Sequence, residues 1–298
     1  MFVTTGFLSK DVKTPGSSIG AFLRERFPQT RALQVEHKAR AGKLLVPSAD
    51  TASSSTVGAG IDLVYRLLLD PDDIPSALTR LFPFNDAYQA AIATLCHCVS
   101  FEKDREYQAR AAWALGLTVN SYRAGPLQAP RIFEMVKRGM YTFPYLMAEA
   151  PEPAVRELTK LRSWGEKRLL PKLHRPLQLG PTFDLSTPGD EQRIAAEADL
   201  IADGLLLDIK TTLGQKASDG MYYDALKADQ LYQLIGYALM DHSNAYAIRD
   251  VGIYSARYGT LTTWPLQQLL DSTAGRLLVV QDVREELWAL MHQEHQFL

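Results

Sequence analysis

The pattern of apolar and polar positions changes character about half-way along the chain. Up to about residue 150, apolar residues recur at helical spacing. "SSIGAFLRERF" opens with serine at a capping position. "GIDLVYRLLLD" gathers its apolar residues on one helical face and stops before Pro71. "DIPSALTRLF", "DAYQAAIATLCHCVSF", "REYQARAAWALGL" and "APRIFEMVKRGMYTF" continue the theme. One stretch interrupts it. "VPSADTASSSTVGAG", Val46 to Gly60, is rich in Ser, Thr, Ala and Gly and reads as a flexible link. Pro151, Pro153, Pro171, Pro176 and Pro181 then mark a passage to strand-like segments: "PTFDLS", "AAEADLIAD", "LLLDIKTT" and "DVGIYSARYGTLTTWPL". A helix, "DALKADQLYQLIGYALMDH", lies between the strands, and a single long helix, "STAGRLLVVQDVREELWALMHQEH", closes the chain. The expectation is an α/β protein: a mostly helical region over residues 1–150, then an α/β core with a C-terminal helix over 151–298.

Composition bounds this picture. A chain of 298 residues, 46% hydrophobic, can bury one large core or two small ones. The net charge of −2 gives no overall basic field, so a nucleic-acid partner has to be held by local patches. No run approaches the length of an apolar membrane span, so no membrane partner is expected. The start, "MFVTTGFLSKDVKTPGSS", lacks the pattern of a secretory signal. Cys96 and Cys98 are too close in sequence for a good disulfide, which points to a reducing, cytoplasmic setting. With His97 they form "CHC", but no second ligand pair stands at zinc-finger spacing. Two thiols packed on a helix are expected instead.

The segment "AEADLIADGLLLDIKTT" carries the candidate chemistry. Asp203-Gly204 is a favoured central pair for a two-residue hairpin turn. With that turn Ala202 faces Leu205, Ile201 faces Leu206, Leu200 faces Leu207, Asp199 faces Asp208 and Glu197 faces Lys210. Alternation puts Glu197, Asp199, Asp208 and Lys210 on one face, and Leu200, Leu207 and Ile209 on the other. Directly opposed carboxylates repel. A divalent cation between them reverses that sign, and Mg²⁺ (or Mn²⁺) takes one or two carboxylates together with waters and phosphates. Lys210 is then placed to orient a water or to stabilise developing negative charge.

These residues resemble the core of the PD-(D/E)XK nuclease superfamily, in particular its RecB-like branch. Asp199 matches the first acid of the motif and Asp208-Ile209-Lys210 its (D/E)XK element. Gln233 and Tyr237 of "QLIGY" match the helix that follows in that branch, with Gln230 one turn earlier. The resemblance spans roughly Pro181 to Pro265. Ala198 stands where the name-giving proline would be. Glu197 occupies a position where many relatives have a small residue; it is either an extra ligand or a salt-bridge partner of Lys210. Two cysteines do not suffice for the iron–sulfur cluster of some relatives. The upstream helical acid used by some members is left to Glu157 and Glu166 as candidates.

The resemblance implies a restriction-endonuclease-like core, a central mixed sheet flanked by helices, with a large helical N-terminal region. It implies a Mg²⁺- or Mn²⁺-dependent deoxyribonuclease, endo- or exonuclease, acting in repair, recombination or defence against foreign DNA. Asp199, Asp208 and the Ile209 carbonyl would hold the metal, Lys210 would assist, and Gln233 and Tyr237 would brace the site. A catalytically silent module that grips nucleic acid or a protein partner is the alternative, as is an assembly subunit built on the helical half. The basic stretch "RELTKLRSWGEKRLLPKLHR", with Lys160, Lys167 and Lys172, is a candidate phosphate track with Trp164 for stacking. Arg31, Lys38, Arg40 and Lys43 offer a second one. His292 and His295 read as surface residues of a fraying helix.

Overall fold

In the computed structural model, which describes residues 7–49, 53–183 and 196–293, the first half is helical. α1 (Leu8–Asp11), α2 (Ser18–Arg26) and α3 (Arg31–Arg40) precede a second set. That set is α4 (Ser54–Leu69), α5 (Ser76–Thr79), α6 (Asp86–Phe101), α7 (Arg105–Gln128), α8 (Pro130–Lys137), α9 (Phe143–Glu149) and α10 (Glu152–Arg168). The starts follow local chemistry. Ser17 accepts from Gly20 N–H, Ser53 from Thr56, Asn85 from Tyr88, and Asp104 from Glu106 and Tyr107. Proline opens α8 and α10, where its missing N–H costs nothing.

The sequence predicts a flexible link over Val46 to Gly60, and the structure corrects its second half. Residues 50–52 lie outside the described residues, but from Ser54 the chain is helix α4. Its small residues form a packing seam rather than a hinge. A Cβ on Gly60 would lie 2.8 Å from the Ala112 carbonyl oxygen of α7, and one on Gly116 would lie 2.7 Å from Gly60 N. Ser-Gly-Ala composition thus serves close helix approach here.

The remaining elements are β1 (Leu177–Leu179), β2 (Leu200–Ala202), β3 (Leu205–Lys210), β4 (Gln215–Lys216), β5 (Tyr222–Tyr223), α11 (Ala228–Met240), β6 (Asp250–Ser255), β7 (Thr260–Pro265), α12 (Leu266–Ala274) and α13 (Val280–Gln293). β1-β2-β3-β6-β7 form a mixed sheet, with β3 and β6 parallel and the other pairs antiparallel. Asp203 and Gly204 both take positive φ, 45° and 77°, as the predicted turn requires. The β2–β3 register follows from it: Leu200 opposes Leu207, Ile201 opposes Leu206 and Ala202 opposes Leu205. Of "PTFDLS" only Thr182 joins a ladder, through a bridge to Glu197, and residues 184–195 lie outside the described residues. β1 itself is not foreseen by the sequence pattern.

Both faces of the sheet are buried. Leu200, Ala202, Leu207 and Tyr254 pack into a core with α4, α6, α7 and α10. Ile201, Leu206, Val251 and Ile253 pack into a second core with α1, α2, α11, α12 and α13. Successive residues Leu206 and Leu207 therefore serve opposite cores, each with no exposed surface. The protein is thus an α/β fold with a mixed five-stranded sheet flanked by helices. Each core draws residues from both sides of position 150.

The single C-terminal helix of the sequence reading is two. Gly275 takes φ 69° after α12 and ends it with a left-handed cap, and α13 starts afresh at Val280. The side chain of His292 and all of His295 lie outside the described residues. Among the described residues, no helix is long and apolar enough to cross a membrane. Cys96 and Cys98 are buried and unpaired on α6, while His97 between them faces outward. Burial pushes the Cys96 thiol up to about 12 and the Cys98 thiol up to about 11, so neither is poised as a ligand or nucleophile.

Candidate functional site

β3 sits third of the five strands, between β2 and β6, and its last residues carry the candidate chemistry. Alternation places Asp208 and Lys210 on the face of Leu206, beneath α11. Asp208 is buried, opposite Ile253 of β6. Lys210 Nζ stands 2.7 Å from Asp208 Oδ2 and donates to Gln233 Oε1 at 3.1 Å. Gln233 Nε2 in turn donates to the Tyr237 hydroxyl at 2.8 Å. Gln233 and Tyr237 are one helical turn apart on α11, so one face of the helix supplies both. The Tyr237 ring stacks on Phe183, centroids 5.7 Å apart. The four residues form one connected chain: Asp208, Lys210, Gln233, Tyr237.

The carboxylates gather beside it. Asp199, at the head of β2, accepts a hydrogen bond from Ile209 N–H. Burial raises its pKa well above the usual carboxylate range, and the charges of Asp62 and Asp208 add to the shift. Asp62, on α4, is raised to about 6. Burial is the main cause; Arg123 and Arg66 oppose it, and Glu197 and Asp208 add to it. For Lys210, burial works against the charge, but Asp208 and Asp199 outweigh it and the ammonium is held more firmly than usual.

Asp62 is absent from the residues the sequence singles out. It is a helical acid whose charge acts on Asp199 and is acted on by Asp208, which is not shown for Glu157 or Glu166. Those two are committed elsewhere. Glu157 pairs with the buried Arg257 and accepts from Ala49 N–H at 2.8 Å, and Glu166 pairs with Arg105 at 2.7 Å and Arg162 at 3.0 Å. A signal for Asp62 did exist. It is an acid inside a helix whose neighbours Ile61, Leu63, Val64 and Tyr65 are all buried, with Gly58 one turn before it and Arg66 one turn after. Gly58 packs against Thr211, just beyond Lys210, which brings this face of α4 to the end of β3.

Glu197 does not hold Lys210. Its carboxylate lies 3.6 Å from Arg66 and is largely exposed. The reason is that the predicted ladder ends at Leu200. Upstream, Ala196 and Ala198 bond to Phe183 and Pro181 instead of continuing along β3. Gln230 caps its own helix, its Oε1 accepting from Lys227 N–H at 2.8 Å. Lys160, Lys167 and Lys172 are exposed on α10 and the turn after it, but Arg162 of the same stretch is buried and donates to the Val99 carbonyl at 2.9 Å. Lys167 and Arg168 lie over the Trp164 ring, 5.7 and 5.4 Å from its centroid.

Among the described residues, no three histidine, cysteine or carboxylate side chains form a group able to cage a metal ion. The donor set here is of another kind. Asp62, Asp199 and Asp208 repel one another in a partly desolvated place, next to a lysine. That set fits a hard cation that keeps most of its waters and takes only one or two carboxylates from the protein. No family model, curated protein or solved structure matches the chain.

Proposed function

We propose that the protein is a Mg²⁺- or Mn²⁺-dependent nuclease acting on DNA phosphodiesters, with a PD-(D/E)XK-like core formed by β2, β3, β6 and α11. One observation carries this reading: Asp199 accepts from the Ile209 N–H, between Asp208 and Lys210, and the Lys210 ammonium, 2.7 Å from Asp208, is itself hydrogen-bonded to Gln233. A structural protein gains nothing from buried like charges.

Asp199 and Asp208, with Asp62 and the Ile209 carbonyl, would hold the cation, and Glu197 would tune the site through Arg66. Bound there, the cation supplies Lewis-acid stabilisation of charge on the phosphoryl oxygens. Lys210 contributes a fixed positive charge that would stabilise the negative charge on the phosphoryl oxygens in the transition state. Gln233 and Tyr237 keep that ammonium in place. Lys160 and Lys167 on α10, with Lys172 in the turn after it, offer phosphate contacts.

A second reading is a silent nuclease-like fold that binds without cutting. The lack of a closed metal cage among the described residues favours it. Incubating linear and circular DNA with the protein and Mg²⁺ or Mn²⁺ separates the two. Cleavage lost on Asp208→Asn supports the nuclease. Binding without cleavage in either metal supports the silent fold.

A further inference from the structure

The loop between α11 and β6, with the starts of α12 and α13, frames a cavity of about 370 Å³. None of the residues of the carboxylate site lines it. Its volume falls within the roughly 300–1,000 Å³ of small-molecule sites. Two guanidinium groups, Arg249 and Arg284, stand on its wall, and among the described residues no aspartate or glutamate does. Ile248, Leu266 and Val280 give it an apolar surface, the first two of them buried.

Arg284 is only 4% exposed. Its Nε donates to the Ala238 carbonyl at 3.3 Å and its Nη1 to Asn244 Oδ1 at 3.0 Å. The third arm is left over. Nη2 lies 3.6 Å from Asp241 Oδ2, beyond hydrogen-bond distance, and that oxygen is itself buried with no hydrogen-bond partner. Burial works against the guanidinium's charge, and Asp241 only partly offsets it. An anionic acceptor reaching Nη2 from the cavity would supply a charge-assisted bond where water supplies a neutral one. Arg249 adds a second, exposed guanidinium. Its Nη2 donates to the Asp203 carbonyl at 2.7 Å and lies 3.2 Å from the Asp203 carboxylate, which leaves its other N–H groups open. The first residues of α13, Val280 and Gln281, line the same cavity, so a helix of 14 residues presents its positive end there. Asp282 of that turn is exposed and does not line the cavity.

We infer that this cavity binds a small organic acid, a single carboxylate on an apolar body. The carboxylate accepts from Arg284 Nη2 and from Arg249, and the body lies on Ile248, Leu266 and Val280. A neutral ligand would leave two guanidinium groups and a helix N-terminus without a counter-charge. A phosphate monoester carries nearly two negative charges, and Asp241 stands just behind Arg284 to repel the second. A carboxylate brings one charge, and its two coplanar oxygens suit guanidinium N–H groups. The inference goes beyond the nuclease reading and does not depend on it.

The test is a ligand-observed NMR titration of the full chain with 3-phenylpropanoate, its neutral amide, acetate and phenyl phosphate. The phenylpropanoate should bind about tenfold tighter than the amide, for the charge-assisted bonds. It should also bind about tenfold tighter than acetate, for the apolar body. Arg249→Gln and Gln281→Glu are exposed positions, so the fold is kept. Each should weaken the acid by about threefold or more and leave the amide unchanged. Arg284→Lys keeps the charge, loses the fork and should cost the acid about tenfold, with melting as the check on its fold. Equal binding of acid and amide overturns the inference, as does a dissociation constant for the acid above about 10 mM. Tighter binding of phenyl phosphate overturns the choice of carboxylate. Unchanged affinity of the acid in both Arg249→Gln and Gln281→Glu overturns the site. No outcome involves DNA cleavage, so the nuclease reading stands or falls separately.

Discussion

Gln233 directs its side-chain oxygen at the Lys210 ammonium, 3.1 Å away, while its nitrogen is committed to Tyr237. The amide can face only one way if both bonds are kept, so Tyr237 fixes the orientation of the group that fixes the lysine. Under the nuclease proposal, Lys210→Ala lowers kcat by about 10²- to 10³-fold, the usual cost of removing one preorganised electrostatic group. Lys210→Arg restores little, because a planar guanidinium places its donors differently. Gln233→Ala frees the ammonium and costs less, about tenfold in kcat, with KM little changed. Single-turnover cleavage rates check all three. If Lys210→Ala cuts like wild type, the lysine serves only to neutralise Asp208.

The raised pKa of Asp62 gives a stability signature that needs no catalysis. An unfolded aspartate titrates near 4, whereas Asp62 in the folded chain titrates at about 6. Between those values the native state binds the extra proton. Its contribution to stability is therefore full below about pH 4 and is lost as pH rises through about 6. Urea denaturation in EDTA should show Asp62→Asn to be the more stable form near neutral pH, by about 2 kcal/mol relative to wild type. The two should converge near about pH 4. A constant difference across this range would show that Asp62 feels no burial or neighbouring carboxylate.

Cation binding draws on the same groups with the opposite requirement, since it needs them ionised. Mg²⁺ or Mn²⁺ should raise Tm, because a ligand of the native state alone stabilises it by mass action. The rise should be larger above about pH 6 than below it, and uptake should release protons. Asp208→Asn should abolish the response. Calorimetric titration in two buffers of different ionisation enthalpy reads the proton release directly. A metal response that survives Asp208→Asn would move the site elsewhere.

The hairpin was the most legible part of the fold. Asp203-Gly204 determines a turn type, the turn determines register, and alternation then assigns Leu206 and Leu207 to opposite faces. Lys210, Gln233 and Tyr237 could be grouped for the same reason, since each position follows from a local period. Asp62 was not legible in this way. It reaches the site only because α4 packs beside the end of β3, a contact between residues about 150 positions apart that no local period encodes. The pairing of Glu197 with Lys210 is not met for a related reason: the reading carries the ladder three residues past Leu200, to Glu197, where another segment takes over the pairing. The small residues of α4 misled differently. Ser, Gly and Ala look like a linker until a partner helix is known, because the same lack of side chain serves both flexibility and close packing.

That packing yields the last prediction. α4 carries Asp62, so its seat against α7 sets where that carboxylate lies. A Cβ on Gly116 would press on the Thr56 carbonyl oxygen and lie 2.7 Å from Gly60 N, both backbone atoms that cannot rotate away. Gly116→Ala gains helix propensity worth about 1 kcal/mol at an ordinary site. Here it must push the two helices apart, and overpacking of this kind costs about 1–3 kcal/mol, on top of losing that gain. Gly42→Ala is the matched control, because nothing lies within 4 Å of the Cβ it would add. Chemical denaturation should show Gly116→Ala destabilised and Gly42→Ala within about 0.5 kcal/mol of wild type. Gly116→Ala should also weaken the metal-induced rise in Tm, since Asp62 moves with its helix. If Gly116→Ala is as stable as wild type, α4 and α7 are not in backbone contact, and Asp62 has no fixed place beside Asp199.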